Sequence, residues 1–348
     1  MLDALSVPIA GNLAGLELLQ KRDAVILVDM PLQEKALIAR IRRTTRQGSR
    51  SIIAGIGDDA AVLRLPPGHE VLVTTDFSLE GVHFRPEWHP PDVVGWRCLT
   101  RGLSDIAAMG GEPQAAFLSL ALPKKLAQRW VDRFIDGMMR LASQFEISLA
   151  GGDTAQSPDG ILADIVVVGS VPRGKAVMRS GAKPGDRIYV TGELGGGSAA
   201  LDEFYAGRKA MPRDFARHFY PLPRIAIGRF LRAKGLASAM IDLSDGLSTD
   251  LAHICEESGR GAEILRDAIP LASVGRQGTQ VKLRHGLHGG DDYELLFTVP
   301  RGKPVPSRIA GVPVTLIGHM RGRASIVLRN DKGVGVASKP RGWEHLKP

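Results

Sequence analysis

The 348 residues carry a formal charge of +8, with 44% hydrophobic, 24% charged and 5% aromatic side chains. That is enough apolar content for two domains of ordinary size, and the 41 Gly and 22 Pro are spread along the chain rather than gathered in a disordered or collagen-like tract. The basic balance does not read as nucleic-acid binding, because aromatics are few and no basic-aromatic stripe accompanies it; two widely separated cysteines, Cys98 and Cys255, suit buried thiols in a reducing cytoplasm.

In chain order, residues 1–30 read weakly. Asp3 stands where a signal peptide has positive charge, and the mildly apolar run at 13–19 is short and glycine-broken, so neither membrane nor export is expected. We expect this stretch to be an appendage, or the product of a misplaced start codon, with the first domain beginning near Met30. Pro31 then opens a helix at 31–41 with Leu37, Ile38 and Ile41 on one face. The basic run of Arg40, Arg42, Arg43, Arg46 and Arg50 reads as a solvated helix face and loop, with attraction of phosphates as the alternative.

The stretch from Ile52 to Leu63 reads as a buried strand ending in the adjacent acids Asp58 and Asp59. Paired carboxylates repel, so water, basic side chains or a cation must sit with them. A second strand at 71–76 alternates so that Leu72, Thr74 and Asp76 share a face. A helix at 92–109 buries Leu99, Leu103 and Ile106 and leaves Ser104 and Asp105 near the edge of its apolar stripe. A strand at 115–122, a helix at 124–145 and strands at 147–150 and 161–169 complete an α/β half, with Gly152 and Asp153 just past a strand end.

The turn Lys183-Pro184-Gly185-Asp186 opens a second half, and the boundary is placed at 175–185. Strands at 187–191, 238–243, 293–299 and 313–318 alternate there with helices near 197–207, 222–234 and 247–258. Asp242-Leu243-Ser244-Asp245-Gly246 and Gly289-Gly290-Asp291-Asp292-Tyr293 repeat the earlier pattern, an apolar run halted by small residues and Asp. One such segment is ordinary turn or capping chemistry. Six of them, with no Cys or His cluster alongside, supply hard oxygen donors of the kind that Mg²⁺ takes together with substrate phosphates.

Two stretches come near a nucleotide-binding motif. The segment Gly169 to Ala176 nearly spells a P-loop but ends in Ala where the metal-binding hydroxyl belongs, and its Pro172 lacks an N–H. The loop Thr191 to Ser198 follows a strand and opens a helix, which suits either phosphate contact or a tight turn. No Ser or Cys nucleophile has a convincing partner.

Taken together, Gly57-Asp58-Asp59-Ala60-Ala61-Val62, Thr74-Thr75-Asp76 with Gly81-Val82-His83-Phe84, Leu103-Ser104-Asp105, Gly151-Gly152-Asp153-Thr154, Asp242-Leu243-Ser244-Asp245, Gly289-Gly290-Asp291-Asp292-Tyr293 and Gly342-Trp343 resemble the thiamine-monophosphate kinases, within the aminoimidazole ribonucleotide synthetase-like superfamily. The resemblance runs from about residue 32 to 345. It implies an α/β (α+β) fold of two synthetase-like domains, 31–178 for ATP, Mg and dimerisation and 179–348 as a C-terminal α/β domain, forming a homodimer through N-terminal sheets. It implies ATP-dependent phosphorylation of thiamine monophosphate. Carried over residue by residue, Asp58, Thr74, Thr75, Asp76, Asp105, Asp153, Asp242 and Asp245 would hold several Mg²⁺ ions. Gly152, Asp153, Arg179 and Ser244 would meet ATP, and His83, Asp291 or Asp292, and Trp343 would meet the thiamine phosphate. Where relatives often show Gly-Gly-Glu-Asp, this chain has Gly-Gly-Asp-Asp. A sister synthetase acting on another acceptor and a non-catalytic nucleotide-binding dimer are the alternatives.

Overall fold

The computed structural model describes residues 18–21, 24–27, 33–45, 51–275 and 279–346. Strands β1 (Leu18–Lys21) and β2 (Ala24–Leu27) pair as a hairpin, and the rest of the expected appendage lies outside the described residues. Helix α1 (Glu34–Thr44) begins three residues inside the described chain's Pro31-to-Ile41 expectation and buries Leu37 and Ile41; Arg46 and Arg50 lie outside the described residues. Next come β3 (Ile52–Ala54), β4 (Val62–Leu63), β5 (His69–Leu79), α2 (Pro91–Ala108), β6 (Glu112–Pro123), α3 (Gln128–Gln144), β7 (Leu149–Ser157) and β8 (Leu162–Pro172).

Four of these strands form one sheet in the order β5-β8-β6-β7, antiparallel except for the parallel β6/β7 pair. One face alternates Ala163, Ile165 and Val167 against the helices. The other face leaves Val71, Val73 and Phe77 more than half exposed, at 52%, 66% and 53%. The helix-covered face follows from period-two patterning, since residues two apart share a side of the pleat.

Two expectations are corrected here. The Ile52-to-Leu63 stretch is not a buried strand: β3 and β4 are short, Ile53 and Val62 are half exposed, and Asp58 and Asp59 sit in the exposed turn between them. Too few residues pair there to make a core strand, and the two acids keep their water. Asp76 and Asp153, expected at strand ends, lie inside strands, because β5 runs on to Leu79 and β7 to Ser157.

The second half consists of β9 (Arg187–Thr191), α4 (Gly196–Tyr205), α5 (Ala216–Phe219), α6 (Ile225–Ala233), β10 (Ala239–Asp242), α7 (Leu247–Ser258), β11 (Gly261–Leu265), α8 (Leu283–His288), β12 (Leu295–Val299), β13 (Arg308–Ile309), β14 (Val312–Arg321), β15 (Ile326–Arg329) and β16 (Gly335–Ala337). Its mixed sheet runs β10-β12-β9-β14-β11-β15-β16, with β13 on β14. Strands β11, β15 and β16 were not anticipated: they are short and carry no long apolar alternation.

Helix α2 ties the halves together. Pro91 at its start and left-handed Gly110 just beyond its end mark its limits. It is buried nearly all round, packing on α3 and the first sheet and also on α6 and β10. A helix apolar on every side belongs in a core, so the polar residues it carries face other buried groups.

Candidate active site

Ser104 and Asp105 project from α2 into the seam between the halves. Ser104, fully buried rather than at a stripe edge, donates to Asp242 Oδ2 at 2.7 Å from the end of β10. Thr74 on β5 donates to Asp105 Oδ2. Asp76, two residues along the same face of β5, has its carboxyl pushed up to about 7 by burial and by Asp105. Burial, countered by Thr74 and Arg179, also raises Asp105; burial and Asp105 raise Asp242. In the loop after β10, Asp245 is raised by burial and by Asp291. The pattern is one of acids pressed together in low dielectric without enough cation, which disfavours their charged forms.

Thr75 points to the other face of β5, where it donates to Asp164 Oδ1 at 2.7 Å. Asp58 and Asp153 also stand apart from the buried acids. With Asp59 and Gly152 they line a cleft of about 590 Å³ bordered by Ile38, Ile41 and Phe117. The register pairs Asp76 with Ile165, Ile165 with Leu118 and Leu118 with Gly152. Three strand steps of ~4.8 Å therefore put Asp76 and Gly152 about 14 Å apart, on opposite edge strands. Gly152 is required there: its φ is +151° and a Cβ would fall 1.8 Å from the Leu118 carbonyl oxygen.

Among the described residues no three His, Cys, Asp or Glu side chains form a cage able to hold an ion alone. Oxygen donors in ones and twos still fit Mg²⁺, which keeps waters and binds jointly with phosphates.

On the other side of the buried acids lies a ring group. His83 Nδ1 accepts from the Leu79 N–H at 3.0 Å, and burial with Arg101 lowers its pKa to about 4. The ring is therefore neutral near pH 7 and keeps Nε2–H as its donor. The His345 ring is 5.3 Å from that of His83, and Trp343 Nε1 donates to His345 Nε2 at 3.1 Å. Trp343 is half exposed, not a core plug, and its backbone N–H donates to the Asp245 carbonyl at 3.1 Å.

The two adjacent acids after Gly290 part ways. Asp291, with φ +63°, binds Arg97 at 2.8 Å and Arg101 at 3.3 Å and accepts from the Tyr293 hydroxyl at 2.5 Å. Burial alone would raise its pKa, but the two guanidinium groups hold it below the usual carboxylate range. Asp292 turns away and receives the Gly195 N–H on both oxygens, at 3.0 and 2.9 Å. A carboxylate thus stands at the start of α4, where the Thr191-to-Ser198 loop left phosphate contact open. In the near-P-loop, the Gly174 N–H is likewise taken by Glu70 at 3.0 Å. Arg179 is exposed on the linker between halves, and its charge acts on Asp105 and Asp242.

Arg97, Arg101 and His345 carry no motif in the sequence, and Tyr293 stands in one without a site role assigned to it. A signal existed for the first two: they are four apart on the helix that carries Asp105, so they share its face.

Residues 57–171 match the AIR synthase related protein N-terminal domain and residues 183–325 the C-terminal domain. The thiamine-monophosphate kinase of Salmonella typhimurium (strain LT2) is 37% identical over 328 residues, 91% of this chain and 99% of the relative. Among solved structures, the thiamine-monophosphate kinase of Stenotrophomonas maltophilia K279a is 36% identical with a TM-score of 0.73, covering 88% of this chain and 98% of that one. AaThiL complexed with AMPPCP and TMP is 32% identical with a TM-score of 0.71, covering 90% and 97%. With buried acids from both domains meeting at one seam and such likeness over nearly the full length, the chain belongs to the thiamine-monophosphate kinase family.

Proposed function

We propose that this protein transfers the γ-phosphoryl group of ATP directly to thiamine monophosphate, forming thiamine diphosphate and ADP. The observation that carries this reading is the junction at α2, where crowded acids from both halves adjoin the His83, His345 and Trp343 rings. Its support is the family and the relative complexed with AMPPCP and TMP.

The acceptor is a phosphate oxygen already ionised at neutral pH, so no general base is required. A phosphate oxygen bonds to the γ-phosphorus while the bond to the ADP oxygen breaks, and catalysis becomes alignment and charge compensation. Asp58, Thr74, Thr75, Asp76, Asp105, Asp153, Asp242 and Asp245 are the residues we assign to Mg²⁺. When bound, Mg²⁺ supplies positive charge against the phosphates. Gly152, Asp153, Arg179 and Ser244 are assigned to ATP. Neutral His83 offers its Nε2–H and Trp343 its ring face to the thiamine part, with Asp291 beside them; Asp292 stands back from this group, holding Gly195.

Residues 31–178 are read as the nucleotide and metal half and 179–348 as the second. A homodimer through the open sheet face is part of this reading. It would cover Val71, Val73 and Phe77, and it would carry the Asp58 and Asp153 edge of one copy to the Asp76 and Asp105 edge of the other.

Purified protein with Mg-ATP and thiamine monophosphate, followed for ADP and thiamine diphosphate together, tests the reading. Equal amounts of both products, and none with thiamine as acceptor, are expected. ADP without thiamine diphosphate, or no turnover, would overturn it.

A further inference from the structure

Arg97 and Arg101 both reach Asp291 from one face of α2, but they are differently employed. Arg97 has a 4% exposed side chain, donates to Asp291 at 2.8 Å and gives another N–H to the His218 carbonyl oxygen. Its donors hold the fold together. Arg101 makes one longer hydrogen bond, 3.3 Å to Asp291 Oδ1, an oxygen already served by Tyr293 at 2.5 Å, and its guanidinium carbon lies 5.9 Å from the centre of the Tyr293 ring. Its side chain is only 11% exposed, and its buried Nε has no hydrogen-bond partner among the described residues. A guanidinium has five N–H donors, and leaving them idle where water is scarce is costly.

The position of this cation is also particular. Its charge acts on His83 and also on Asp76, Asp105 and Asp245. The groups assigned to the acceptor and those assigned to metal thus both lie within the field of this one buried guanidinium, which is anchored on Asp291. Balancing Asp291 does not by itself require it, because Arg97 already matches that unit charge and the Tyr293 hydroxyl donates to the same carboxylate.

We propose that Arg101 binds the phosphate of the acceptor substrate, with Asp291 as a positioning residue that fixes the guanidinium. A planar fork of donors matches phosphate oxygens two at a time, which a lysine cannot do. The inference rests on thiamine monophosphate being the acceptor and names the side chain that distinguishes it from thiamine.

The test is calorimetric binding of thiamine monophosphate and of thiamine to the full chain and to its Arg101→Met and Arg101→Lys variants, alongside initial rates. Arg101→Met should weaken thiamine monophosphate by about tenfold or more while leaving thiamine unchanged, and should raise KM for the monophosphate more than KM for ATP. Arg101→Lys should recover part of the loss. Unchanged monophosphate binding in Arg101→Met, or equal loss of both ligands in both variants, would overturn the inference while wild-type turnover leaves the kinase reading standing. A wild-type protein that turns over no thiamine monophosphate would overturn both.

Discussion

The Asp76 carboxyl ionises at about 7 in the folded protein against 3.8 in the unfolded chain. Between those values the folded state binds more protons, so this group's contribution to stability falls as pH rises from about 4 to about 7. Asp76→Asn removes that dependence. In EDTA, the stability of the variant relative to wild type should rise between about pH 5.5 and pH 7.5, read from urea melts. A constant offset would show that Asp76 is not perturbed. On the proposed assignment Mg²⁺ takes the ionised form, so adding it should restore the wild-type protein at the higher pH. Activity asks a separate question of the same cluster. Asp105→Asn keeps the shape that receives Thr74 yet removes one charge, and it should abolish turnover while the far-UV spectrum stays native and the melt stays cooperative; a near-normal rate would take Asp105 out of the proposed metal set. Which residue types make such a site was legible in the sequence. That Ser104 would bond Asp242, and that Asp291 and Asp292 would face opposite ways, was not, because a side chain's direction depends on backbone angles such as the +63° φ of Asp291.

Helix α2 was readable from the recurrence of Leu99, Leu103 and Ile106, and its limits agree within a residue or so. Its closeness to α3 was not. A Cβ on Gly95 would fall 1.9 Å from the Phe134 carbonyl oxygen, and one on Gly137 1.9 Å from that of Asp92. The two helices meet backbone to backbone at these glycines. In an isolated helix Gly137→Ala would stabilise by about 1 kcal/mol, but here the overlap cannot be relieved by a side-chain rotation. Forcing the helices apart should cost about 1–3 kcal/mol or more, so the net change should be destabilising in urea melts. A neutral or stabilising result would mean that the helices can separate freely. Glycine inside an amphipathic pattern reads as a weakness in propensity; only the neighbour shows that it is a contact.

At the scale of the whole molecule, Asp76 and Gly152 lie about 14 Å apart on opposite edge strands of the four-stranded sheet, and Asp105 perturbs the first while Asp58 and Asp153 share a cleft with the second. The proposed dimer predicts complementation. Asp76→Asn and Asp153→Asn homodimers should each be inactive, and after subunit exchange a mixture should regain activity, because each mixed dimer has one site with both acids intact. At equal amounts, about a quarter of the sites recover. No recovery, with exchange verified, would place both acids in sites built from a single chain.

By itself the sequence determined the kind of chemistry and the family. Small residues and Asp in fixed local order survive as motifs because each motif is a contiguous turn, strand end or helix face. It also determined the main helices and strands through their apolar periodicity. The tertiary structure decided which motifs meet. Ser104 bonds Asp242 across 138 residues, while Asp153 lies away from Asp76 although both belong to the same sheet. Pairing order and helix packing are set by the summed burial of many side chains, a property that no single stretch of chain contains.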